Sequence, residues 1–166
     1  MADNRISITF EPNVPVAGQI LILQAVDYIY SLAALMSVGW SPQAARMSDW
    51  HKFVVNSPGK LLSEEHALRV HSAHSSAVTE VVEGIDKAIK QLKKLVDTLK
   101  ELREEERAKS KLRIVREELL PLIEKLRQQG ASEERIRLMV ENAALYVDEV
   151  LIGLMARDKL KLEIKT

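Results

Sequence analysis

The 166-residue chain contains no cysteine. Disulfides, thiolate zinc sites and a cysteine nucleophile are excluded together, and the reducing compartment this fits makes a cytoplasmic location the expectation. Glycine is scarce too. Six scattered glycines make no phosphate-binding loop, no dinucleotide fingerprint and no Gly-x-Ser-x-Gly elbow, which argues against nucleotide hydrolysis and serine hydrolysis. Net charge is zero, from 24 basic and 24 acidic side chains, so no global field draws the chain to nucleic acid or to an anionic membrane. Aromatic residues make up 4%. They are not interleaved with basic ones in the manner that stacks single-stranded nucleic acid. The start, Met1-Ala-Asp-Asn-Arg5, has neither the basic stretch nor the adjoining apolar run of a secretory signal, and no targeting segment is expected.

What the chain does have is enough length for one domain with a single core. Its charge is uneven. Residues 1–62 hold eight charged side chains, whereas 86–127 hold twenty-two, thirteen basic and nine acidic. Arg5-Ile-Ser-Ile-Thr-Phe10 and Lys159-Leu-Lys-Leu-Glu-Ile-Lys165 alternate polar and apolar residues and read as strands near 5–10 and 159–165. Two strands alone make a marginal sheet, so partners are expected near 67–71 and 78–82 around the polar turn 72–76. The same segment also fits a helical face through Val70, Ala73, Ala77, Val81 and Ile85.

A helix is predicted over 16–38, apolar nearly all round. It approaches the ~20 residues that cross a bilayer, but a carboxylate at its centre, Asp27, would cost roughly 2.5 to 3.5 kcal/mol there, and no basic cluster flanks it. A core helix is the better reading. Ser41-Pro42 predicts an N-cap and a short helix to about residue 54. Gly130 and Ser132 predict a C′ residue and an N-cap, opening a last helix over 133–156 with two apolar seams.

The longest signal lies at 85–129. Ile85, Ile89, Leu92, Val96 and Leu99 form one apolar stripe, and Leu112, Val115, Leu119, Leu122 and Leu126 form a second in a different phase. Strong helix formers fill 100–111, which predicts one continuous helix of about 45 residues, roughly 65 Å long, kinked near Glu117 by Pro121. The expected fold is α+β: a small antiparallel sheet, a core helix and a long helix packed on 133–156, with 85–156 protruding as an arm. The alternative is a nearly all-α chain with its terminal strands paired.

Candidate chemistry is sparse. His71 and His74 with Glu64 and Glu65 could be imagined around a metal only in a helical reading, and the paired acids Glu64-Glu65, Glu104-Glu105-Glu106, Glu117-Glu118 and Glu133-Glu134 read as solvated faces. Neither a metal nor a cofactor is expected. Asp27 is the one acid in an apolar setting and a possible polar core site, with Tyr28 and Tyr30 beside it. Trp40 and Trp50 suit core-edge packing better than a partner anchor. The sequence therefore predicts a non-enzymatic assembly or adaptor protein, a homo-oligomer or the holder of a protein partner. Its interface would be a coiled-coil-like stripe through Ile85, Ile89, Leu92, Val96, Leu99, Leu112, Val115 and Leu119. Alternatives are a membrane-associated effector using 16–38 or a small enzyme around Asp27 and a histidine.

Overall fold

β-Branched residues alternating with polar ones make Arg5–Phe10 a strand, β1, in the computed structural model. The structure describes residues 5–11, 14–47, 50–74 and 79–165, and their side chains except those of 70–74 and 79–80. After β1 come α1 (Val16–Val38), the short α2 (Pro42–Ala45) and α3 (Phe53–Asn56), then β2 (Arg69–His74) and β3 (Thr79–Glu83). Three helices follow, α4 (Asp86–Glu101), α5 (Glu104–Glu118) and α6 (Leu120–Gln128). The chain ends in α7 (Glu133–Ala144), a π-helical continuation Leu145–Ile152, α8 (Gly153–Ala156) and β4 (Leu160–Lys165). The class is α+β.

The strands form one antiparallel sheet in the order β2-β3-β1-β4. β1 is interior, with Arg5 opposite Glu83 on one side and Lys165 on the other. Its Ile6, Ile8 and Phe10 enter the core while Arg5, Ser7 and Thr9 stay half-exposed. β4 is an edge strand whose outward Lys161, Glu163 and Lys165 are exposed, and charge there discourages pairing with another sheet. β2 begins at Arg69 rather than 67 and runs through His74, into the residues expected to turn. Residues 63–67 are taken by a turn in which the Ser63 carbonyl accepts from the His66 and Ala67 amides.

α1 matches its predicted span and is the central post. From Ile22 to Leu35 it is largely buried, packed by α4, α6, the π-helical segment and the 3₁₀ turn Pro58–Leu61. Its C-terminal carbonyl at Met36 accepts from Lys125 Nζ (3.1 Å), a cation placed where the helix dipole favours one. Tyr30 is wholly buried. Its hydroxyl donates to the His66 carbonyl (2.7 Å) and accepts from the Ile85 amide (2.9 Å), tying α1 to the approaches of β2 and α4. Gly84 makes that approach possible, since a Cβ there would lie within 2.6 Å of Tyr30 Cζ and its hydroxyl oxygen.

The predicted 45-residue helix is three helices. Leu102 and Arg103 are extended (ψ 146° and 148°), and α5 folds back so that Glu118 accepts from Gln91 (2.8 Å) and pairs with Lys94 (3.2 Å). Reversal resolves the phase difference between the stripes: each half turns its own face to the same core. Pro121 sits in the first turn of α6, after a break at Leu119 (φ −95°, ψ 4°), so the expected kink is a helix boundary. No arm protrudes among the described residues of 86–156, because α4 and the π-helical segment pack on α1 and α5 packs on α7. The helix expected from Ser41 to 54 is also interrupted. Ser41 caps α2 through the Ala44 amide (3.1 Å), but α2 stops at Ala45 and a 3₁₀ turn, Trp50–Lys52, leads into α3. There Trp50 stacks on Trp40 with centroids 4.1 Å apart.

Candidate functional site

Burial disposes of most of the predicted interface. Ile89, Leu92, Leu99 and Val115 are fully buried within one chain, Leu119 and Val96 nearly so, and Ile85 is half-buried. Only Leu112 remains open, at 46%. The stripe is a core face, because the turn at Leu102 and Arg103 supplies from the same chain the cover that a straight rod would have needed from another.

Exposed apolar side chains such as Met47, Leu120, Leu138 and Leu145 are dispersed over other parts of the fold, and three more gather at the start of α1. Val16 is 70% exposed, Ile20 50% and Leu21 41%, with Pro15 and Ala17 also exposed. These residues project past the helices that cover Ile22 to Leu35.

Asp27, one turn into the covered half, opens on a recess of about 410 Å³ lined by Gln24, Tyr28, Asn56, Gly59, Lys60 and Tyr146 among others. More than a third of the residue stays exposed, but the carboxyl end is turned against the Pro58–Leu61 turn: a Cβ on Gly59 would stand 3.4 Å from Asp27 Oδ2 and 3.2 Å from Ser31 Oγ. Lost hydration pushes the Asp27 carboxyl above the usual carboxylate range, and the Ser31 hydroxyl one turn on partly opposes this. Ser31 Oγ is buried and makes no hydrogen bond of ordinary geometry among the described residues.

Tyr28 and Tyr146 meet at the back of the recess, centroids 4.9 Å apart. The Tyr28 hydroxyl donates to the Val55 carbonyl (2.8 Å), which also accepts from Asn142 Nδ2 (2.9 Å). Burial pushes the Tyr28 phenol far up, so it stays protonated. Tyr146 belongs to the π-helical segment, a rare conformation that often accompanies functional sites. On its other side that segment carries Asp148, whose side chain, 13% exposed, pairs with Arg107 and with Lys111 (3.2 Å).

Compared with known proteins, the chain matches no family model, no curated protein and no solved structure.

Of the residues expected near Asp27, Tyr28 lines the recess and Tyr30 points to the other tie described above. No histidine lines it among the described residues. His51 is buried and takes a hydrogen bond from Arg135 (2.8 Å), and His66 contacts Ser63 Oγ (2.8 Å). The side chains of His71 and His74 lie outside the described ones. Among the described residues no three His, Asp or Glu side chains cluster as metal ligands. Sequence reading missed Ser31, Gly59, Lys60 and Tyr146. Only Ser31 had a signal, its i+4 spacing from Asp27.

Proposed function

We propose that the protein is a non-enzymatic interaction part that pairs with a second copy of itself through the exposed first turns of α1. The observation that carries this reading is the contiguous apolar surface of Val16, Ile20 and Leu21 on a helix whose apolar side chains from Ile22 to Leu35 are covered. Apolar side chains scattered singly need no explanation, whereas consecutive turns of them left bare do.

A second copy suits this surface because no residue from Val14 to Val26 is charged. Two identical patches can meet about a two-fold axis without like-charge repulsion. Such a short stretch offers on the order of a few hundred Å² per subunit, below the ~800 Å² per partner of a standard interface, so association in the micromolar range is expected. An enzymatic role is disfavoured by the recess itself. Among the described residues, neither a histidine nor a second carboxylate faces Asp27 there, so the acid–base pair that divides catalytic work is missing.

The test is the mass in solution at roughly 100 μM, above the dissociation constant expected of so small a contact. A mass of twice 18.7 kDa that falls to one chain in the Val16→Glu, Ile20→Glu double variant, with unchanged circular dichroism, supports the reading. A single-chain mass for the unaltered protein overturns it. So does an Ile20-dependent attachment to phosphatidylcholine vesicles without dimerisation, which would assign the patch to lipid.

A further inference from the structure

We propose that the recess at Asp27 is a binding site for a small organic ammonium ion, whose N–H donors meet the Asp27 carboxylate, with the buried Ser31 hydroxyl behind that carboxylate beside Gly59. Three independent features point to that chemistry. Ser31 Oγ is wholly buried and makes no hydrogen bond of ordinary geometry among the described residues, the Asp27 carboxylate one turn earlier being the one group that interacts with it, although buried polar atoms are almost always satisfied. It faces the same point beside Gly59 as the Asp27 carboxylate.

Next, the acid lacks a resident cation. Lys60 borders the recess but its Nζ stands 6.0 Å from the Phe53 ring centroid, and no ion pair to Asp27 occurs among the described residues. The tyrosines at the back offer ring surface, since the Tyr28 hydroxyl is occupied by the Val55 carbonyl. Aromatic faces attract a cation that has left water.

Third, Gly59 has no conformational reason to be glycine, since its backbone is not left-handed. What glycine provides is space: a Cβ there would stand within 3.4 Å of both oxygens. At about 410 Å³ the recess falls in the range of small-molecule sites. A calcium or magnesium ion is a poorer fit, since one carboxylate and one hydroxyl fall short of the six or more oxygens such ions collect.

The experiment is titration calorimetry of the full chain with putrescine, and with tetramethylammonium as a cation that has no N–H donor. Putrescine is expected to bind with a dissociation constant below about 1 mM, and tetramethylammonium at least about tenfold more weakly. Asp27→Asn and Gly59→Ala should each weaken putrescine by about tenfold or more, with the circular dichroism of the folded chain preserved. Ser31→Ala should weaken it several-fold. The Ile20→Glu variant should bind normally, which separates this site from self-association. Absence of putrescine binding to the unaltered chain overturns the proposal. Equal binding of both cations, or undiminished binding in folded Asp27→Asn and Gly59→Ala, also overturns it.

Discussion

The two stretches of α1 are built from the same residue types and meet opposite surroundings. Val16, Ile20 and Leu21 stand in solvent, whereas Ile22, Ile29, Leu32 and Leu35 are buried by α4, α6, the π-helical segment and the Pro58–Leu61 turn. Hydropathy is much the same in both. What separates them is reach: the covering elements are not long enough to hide the first turns. An apolar helix announces that cover is needed, and only the fold says where the cover comes from. The stripes at 85–129 teach the same lesson in reverse, since they looked bare and proved to be shielded by their own chain.

The largest effect should come from the shielded region. Leu92→Ala, made in the Val16→Glu, Ile20→Glu background so that pairing through α1 does not enter, is expected to cost about 2–5 kcal/mol in urea unfolding, with a midpoint that does not move with protein concentration. A concentration-dependent loss would return that stripe to an intermolecular role. Gly84→Ala drives a methyl into the Tyr30 ring and should cost about 1–3 kcal/mol. Ile20→Ser in the bare region should leave monomer stability within about 0.5 kcal/mol while shifting the mass toward one chain, as sedimentation would read.

The smallest effect belongs to Asp27 at the border. Its folded pKa is raised from 3.8, so its contribution to stability is fully present below the unfolded value and is lost as pH rises through the folded one. Asp27→Asn should therefore stabilise the chain at neutral pH and confer nothing below 3.8. The gain is expected to be about 0.5 kcal/mol at most, because the exposed part of the residue lets water screen the charge. Thermal melts across that range would check the sign.

Much of the architecture was readable. Alternation marked β1 and β4, an unbroken apolar run marked α1, and Gly130 (φ +87°) and Ser132 marked the junction of α6 and α7. The break at Leu102 was missed because helix propensity ran straight across it. A sign was present: Lys100 closes α4, and Glu104, Glu105 and Glu106 open α5, charges that suit a helix end and a new helix start. Asp27 was recognisable as the odd acid, but Gly59, Lys60 and Tyr146 reach it only through tertiary packing. The π-helical stretch of eight residues is too short for its wider turn to show as a period in the sequence, so Tyr146 could not have been placed beforehand.

The interior position of β1 has a consequence for how the chain comes off the ribosome. One of its two hydrogen-bonded neighbours, β4, is translated after every helix, so that edge of β1 waits open while the helical body emerges. Closing the sheet is thus a late step with long sequence separation, slow compared with helix formation. During that interval the open edge of β1 is where two nascent chains can trade strands.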